Sequence, residues 1–284
     1  MVKNALPKDL DVETDEADAK SAPSGSQTLQ RGLDVLDAVA DAPVALTELA
    51  EALGLTRSTT HRLAAALVER RFLTLTPREG YSLGPKLLEL GFLAQQQRDL
   101  YRVARPHLES LAVLTEDTVH LGILDGDRAL YLDKLPGRRR IEISSRIGDR
   151  QPVTSTGLGK ALILDVGEEK WRELFALEGD GSGPGGVSLD LWLERIRDYA
   201  NKGHAFDLEE NEDRIRCAAA PIRDVTRKIV GAISVSGAAQ YMDDARLASL
   251  VVDVKATADA ISRDMGWMGG HPKPAAKDRR KASA

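Results

Sequence analysis

The stretch ALTELAEALGLTRSTTHRLAAAL, residues 45–67, decides the fold. It reads as two amphipathic helices joined by a glycine turn. In the first, Leu46, Leu49, Ala50 and Leu53 form the apolar stripe, with Thr47 as candidate N-cap. Gly54 then ends that helix, since glycine takes left-handed backbone angles at little cost. Thr56 or Ser58 caps the second helix, which runs to about Arg70. Thr60, Leu63, Ala64 and Leu67 are spaced to share one buried face. The opposite face and the first turn then present Arg57, Ser58, Thr59, His61, Arg62 and Ala65.

Those side chains suit a major groove. Arginine can bridge guanine O6 and N7, hydroxyls can bond bases or phosphates, and a small alanine can meet a thymine methyl. Backbone N–H groups at the helix start favour a phosphate. Two amphipathic helices alone are an ordinary core motif. The polar and basic outer face, the Gly54 turn and the β-hairpin that follows favour a DNA-reading helix-turn-helix at about residues 46–65.

Upstream, Leu29, Leu33, Leu36, Val39 and Ala40 set a helical stripe that Ala42-Pro43 ends. Downstream, Phe72–Leu75 and Tyr81–Leu83 read as short strands. The turn Thr76-Pro77-Arg78-Glu79-Gly80 between them places Arg78 at the tip of a wing. A helix at Pro85–Gln97 leads out of this domain. A second domain starts near Asp99, with a helix at 99–115 and a hairpin of Val119–Leu124 and Ala129–Leu132 about Asp125-Gly126-Asp127. Ile141–Ile147 alternates like a strand. Helices follow at about 157–166, 168–177 and 189–202, with the loop GDGSGPGG between the last two. Strands at Ala205–Leu208, Ile215–Ile222 and Ile229–Val235 and a helix at 243–265 complete the chain. The expected class is α+β with a largely antiparallel sheet.

Composition bounds the function. Net charge is −5, so the chain as a whole does not advertise nucleic-acid binding, yet five arginines fall between Arg57 and Arg78. The single cysteine, Cys217, leaves no disulfide framework and no cysteine-based zinc site, and no metal site or cofactor is expected. No apolar run reaches the roughly 20 residues of a membrane span. The first residues lack the apolar core of an export signal, so a cytoplasmic protein is expected. Residues 1–25 and 268–284 read as disordered tails, the first acidic and the second basic.

The sequence resembles the IclR family of bacterial transcriptional regulators over roughly residues 26–266. The resemblance is carried by QTLQRGLDVLDAVADAPVALTELAEALGLTRSTTHRLAAAL, YSLGPKLLELG, ARPHLESLAVLTEDTVHLGILDGDRALYLDKL, STGLGKALI, FDLEENEDRIRCAAAPIRD and IVGAISVSG, in that order. It implies a winged helix-turn-helix at 26–87, a linker helix at 85–98 that helps dimerise, and a GAF-like α/β effector-binding domain at 99–267. It also implies a repressor of a catabolic operon, acting on double-stranded operator DNA as a homodimer, in some members a dimer of dimers (tetramer). HLGILDGDRALYLDKL, SRIGDRQPVTSTGLGKAL and ISRDMGW look nearest the branch that controls 2-keto-3-deoxygluconate and pectin catabolism.

The same resemblance places the effector site on three segments: Gly157, Gly159 and Lys160 in TGLGKA, Asp207 and Glu209 in FDLEEN, and Cys217 with Ser234 and Ser236 on two strands. The residue types agree with a small polar ligand, an organic acid of the sugar-acid or keto-acid kind. N–H groups at a helix start can hold a carboxylate, and serine hydroxyls and an aspartate can exchange hydrogen bonds with ligand hydroxyls. Plainer roles compete: glycines as turn residues, Cys217 as core packing, the serines and Lys160 as solvated groups, His120 as a structural histidine. Two departures from the family pattern touch this region. Asp213-Arg214 stands where a glycine commonly follows the EEN segment, and the GDGSGPGG loop lacks the usual threonines.

Two other functions compete with a DNA-binding regulator. A hydrolase or acyl-transfer enzyme using Cys217 would need a histidine base, and none of His61, His107, His120, His204 and His271 lies in a catalytic motif. A winged helix used for protein contacts instead of DNA is the second.

Overall fold

The computed structural model describes residues 24–141, 143–178 and 186–269. The expected tails, and most of the GDGSGPGG loop, lie outside them, apart from Ser24 and Gly25 and from Met268 and Gly269. The chain divides into two compact units between Ala94 and Gln95. Among the described residues no helix is long and apolar enough to cross a membrane.

The first unit holds α1 (Ser24–Ala38), α2 (Leu46–Ala52), α3 (Arg57–Glu69), the two-stranded sheet of β1 (Leu73–Thr76) and β2 (Gly80–Leu83), and the start of α4 (Pro85–Gln96). Helix α1 thus begins within the stretch expected to be a tail. Val35, Val39, Leu49, Ala64, Leu73 and Tyr81 make its core. Helix α2 starts one residue before the expected cap. Ala45 is the N-cap, and the Glu48 carboxylate three residues on takes its N–H at 3.4 Å, so Thr47 lies inside the helix. Gly54 has φ +61° and ends the turn, as its sequence position predicts. Leu29 and Leu33 of the α1 stripe stand 66% and 53% exposed, on a face the described residues leave open.

The second unit is one six-stranded antiparallel sheet with helices on both faces. Its strands are β3 (Thr118–Asp125), β4 (Arg128–Leu135), β5 (Arg150–Pro152), β6 (Ala205–Leu208), β7 (Ile215–Arg223) and β8 (Ile229–Ala238), in the order β5-β4-β3-β8-β7-β6. Against one face, Val119, Leu121, Ala218, Ala220, Ile233 and Val235 pack with α5 (Leu100–Thr115) and α9 (Asp244–Asp264). Against the other lie α6 (Gly157–Leu162), α7 (Glu168–Leu177) and α8 (Leu189–Lys202), with Trp171, Phe175, Trp192 and Tyr199 in the core. The α+β class with an antiparallel sheet is therefore as the pattern predicts.

The strand expected at Ile141–Ile147 does not form. Residues 143–146 have no regular structure, and Glu142 lies outside the described residues. Ile143 is buried while Ile141 and Ile147 are exposed, so the alternation does not mark a sheet face. Side chains take the backbone's place: Lys134 Nζ donates to the carbonyls of Ile143 at 2.6 Å and Ser145 at 2.7 Å. The sheet edge is formed instead by β5, which carries no such alternation.

Candidate functional site

Two surfaces carry the candidate residues. On α3, Thr56 is the N-cap: its Oγ1 accepts the Thr59 N–H at 3.3 Å and donates to Thr59 Oγ1 at 2.9 Å. Thr60 is buried, and its hydroxyl donates back to the Thr56 carbonyl at 3.1 Å, which explains a polar residue in the apolar stripe. With Thr60 and Ala64 inward, Arg57, Ser58, His61 and Arg62 are exposed, and Thr59 is half-buried. Arg78 is exposed in the β1–β2 turn with φ +75°. That turn is pinned at its base: Val44 and Tyr81 exchange backbone hydrogen bonds at 2.9 Å. A Cβ on Gly80 would come 2.3 Å from the Val44 oxygen, so only glycine fits there. Among the described residues none of Arg57, Arg62 or Arg78 has an ion-pair partner, so no carboxylate competes with an incoming phosphate.

On the sheet face under α6, strand register lines up a polar row. Asp207 pairs with Cys217, Cys217 with Ser236, and Ser236 with Thr118. The next row runs Ala219, Ser234, His120. Asp207, Cys217, Ser236, Thr156, His120, Tyr131 and Ser145 border a cavity of about 60 Å³, with Gln151, Asn211 and Glu212 also on its wall. Helix α6 is pressed onto this row: a Cβ at Gly157 would stand 2.3 Å from Cys217 Sγ and 3.1 Å from Asp207 N.

Burial sets the protonation states. It pushes the Asp207 carboxyl up to about 7, against the pull of the Lys160 ammonium. It lowers Lys160 to about 8, opposed by Asp207. It raises the Cys217 thiol to about 12, so this sulfur is a thiol and not a nucleophilic thiolate. His120 is depressed to about 3, first by burial and then by Lys134, and is therefore neutral.

The sequence and the fold were compared with known proteins. The model described as "Bacterial transcriptional regulator IclR C-terminal" matches residues 92–263, and "IclR helix-turn-helix domain" matches residues 28–77. The chain belongs to the IclR family. Members of this family are DNA-binding transcriptional regulators, many of them repressors. The HTH-type transcriptional regulator XynR of Escherichia coli is 33% identical over 85% of this chain and 98% of its own. KdgR of the same organism is 29% identical over 88% of this chain and 97% of its own. The Agobacterium tumefaciens repressor BlcR superimposes with a TM-score of 0.73 at 25% identity, over 85% of this chain and 97% of that one. The KdgR-like branch is thus one of several similar IclR relatives.

The IclR site residues read from the sequence divide. Asp207, Cys217 and Ser236 come together on the cavity, with Gly157 packed behind Cys217. Four do not join them. Ser234 is buried one row away and off the cavity wall. Glu209, with φ +68°, is turned aside and accepts the Arg214 N–H at 3.3 Å. Gly159 faces the chain before α6, where a Cβ would be 2.5 Å from Val153 Cα, and its N–H is taken by the Thr156 hydroxyl at 3.0 Å. Lys160 points away, donating to the Phe206 carbonyl at 2.9 Å and pairing with Glu210, which also holds Arg195. The helix start is therefore not an open row of donors. Sequence reading missed Glu210, Arg195, Tyr131 and Ser145, and took His120 as structural. The only signal for Glu210 was its place in the quoted EEN run.

Proposed function

We propose that this chain is an effector-controlled repressor of a catabolic operon. In this reading α3 lies in the major groove of operator DNA and Arg78 touches the backbone or minor groove beside it. The observation that carries it is the outward Arg57 and Arg62, without an ion-pair partner among the described residues, standing opposite the buried Thr60 and Ala64. We assign residues 26–87 to DNA binding, α4 to the linker and 99–267 to effector binding. The protein works in the cytoplasm, where operator DNA is, and as a homodimer. Exposed Leu29 and Leu33 on α1 and Leu88 and Phe92 on α4 give a second copy apolar surface to cover.

The effector is a small organic acid bound on Asp207, Cys217 and Ser236. Asp207, with its raised pKa, can carry the proton that lets a second carboxylate lie near it. A cavity of about 60 Å³ is below the roughly 300 Å³ of ordinary ligand sites, so binding widens it. The segment at 143–145, held by Lys134 and His120 instead of a strand ladder, is the wall that yields.

Fluorescence anisotropy with DNA from upstream of the chain's own gene tests this. Affinity should fall steeply with salt, as it must when phosphates displace counterions, and an organic acid should shift it. Salt-independent binding, or none, returns the winged helix to a protein-contact role.

A further inference from the structure

His120 is 1% exposed and borders the cavity. Its Nε2 is 2.7 Å from Ser145 Oγ, and its ring lies 4.9 Å from that of Tyr131. Its Nδ1 is a buried polar atom with no hydrogen-bond partner among the described residues. An imidazole held neutral by burial has one donor and one acceptor nitrogen. Whichever role Nε2 takes toward the Ser145 hydroxyl, Nδ1 is left with the other. A buried polar atom left in that state costs free energy, so it calls for a partner, a water or a ligand group.

We propose that His120 is a specificity-determining contact of the effector site, its Nδ1 hydrogen-bonding a hydroxyl of a hydroxy-acid effector. This rests on the reading of the cavity as the effector site. A hydroxyl fits because it can donate or accept, matching either tautomer of His120, whereas a carboxylate satisfies only the Nδ1–H form. The wall supports the assignment. Among the described residues it carries Asp207 and Glu212 and no lysine or arginine, so it selects by hydrogen bonding and not by a protein cation.

The test uses the full-length protein and calorimetry with D-gluconate, D-glycerate and L-lactate, against hexanoate and propionate as counterparts without hydroxyls. Two replacements separate the ring nitrogens. In His120→Asn the side-chain amide falls near the Nδ1 position. In His120→Gln it falls near Nε2 and keeps the Ser145 bond. The wild-type protein should prefer a hydroxy acid over its counterpart. His120→Gln should lose that preference, by roughly tenfold to hundredfold in affinity, and His120→Asn should keep most of it. The opposite order, with Gln retaining and Asn losing the preference, assigns His120 only to holding Ser145 and overturns the proposal. Equal preference in both variants overturns it as well, as does a wild-type protein silent to every probe. Ser236→Ala separates the two readings. If Ser236→Ala weakens binding while the His120 variants do not, the site stands and the role of His120 falls. If neither does, the site itself is misplaced.

Discussion

Replacing Gly157 by alanine tests how α6 is held against the sheet. The added methyl would stand 2.3 Å from Cys217 Sγ and 3.1 Å from Asp207 N, where heavy atoms settle at about 3.5–4.0 Å. The helix therefore has to withdraw by more than about 1 Å. It has little freedom to do so. Gly159 is wedged against Val153, and Glu178 holds the N–H groups of Val153 at 2.7 Å and Thr154 at 3.0 Å just before the helix. Overpacking of this kind costs about 1–3 kcal/mol, and the blocked retreat puts Gly157→Ala near about 3 kcal/mol. Cys217→Ala alone removes one buried heavy atom and should cost about 1 kcal/mol. In the double variant the sulfur clash is gone and the milder contact with Asp207 N remains. Its cost should fall short of the sum by about 1–2 kcal/mol, a coupling typical of touching residues. Urea unfolding followed by tryptophan fluorescence reads this unit alone, because Trp171, Trp192 and Trp267 all lie in it. A Gly157→Ala loss below about 0.5 kcal/mol, or strictly additive costs, would refute the packing argument.

Arg62→Ala and Arg57→Ala should each weaken specific operator binding, by about 1–3 kcal/mol where the arginine reads a guanine; unchanged footprints in both would contradict the placement of α3. His120 has a folded pKa of about 3 against 6.5 unfolded, so its stabilising contribution is present above about pH 6.5 and lost as pH falls, by about 1.4 kcal/mol per unit. His120→Gln should remove that slope in urea titrations between about pH 6 and 4, and parallel wild-type and variant curves would argue against a neutral buried ring. Asp207 is shifted the other way: the folded state holds its proton more tightly, so stability from this group falls as pH rises from about 4 to 7. Asp207→Asn should thus gain on the wild type as pH rises through that window, and a gain on acidification would reverse the sign assigned here.

The first unit was largely legible because its signals are local. A 3.6-residue period, Gly54 at positive φ and a hydroxyl cap at Thr56 each act within one turn of chain. What the period could not tell was which apolar positions the unit itself buries: Leu29 and Leu33 carry the same spacing as buried Val39. The cavity was legible in part. Asp207, Cys217 and Ser236 sit in motifs, but their meeting depends on β7 pairing with both β6 and β8. His120 is brought beside Ser234 by the long-range pairing of β3 with β8, and nothing near it in sequence announces a site. The strand expected at 141–147 failed for a related reason. Alternation was present, but Lys134 on β4 and His120 on β3 satisfied the segment's carbonyls and hydroxyl. Glu209 and Glu210 were indistinguishable as residue types, and the positive φ of Glu209 decided which one turned inward.

The two faces of the second unit's sheet differ in a way that packing alone does not require. Both are covered by helices, yet one is mainly aliphatic, its buried Asp133 paired with Arg105 of α5, and the other carries Asp207, Cys217, Ser236, Thr118 and His120 across adjacent strands. Burying a carboxylate and an imidazole costs more than burying leucines in their place, and the shifts at Asp207 and His120 record that cost. Stability would favour a second aliphatic face. A polar face beneath a helix thinned to glycine at Gly157 is instead what a binding site requires, since it brings backbone close to a small hole and leaves groups there that a ligand can satisfy. The Nδ1 of His120, without a hydrogen-bond partner among the described residues, is the point at which that cost and the proposed function meet.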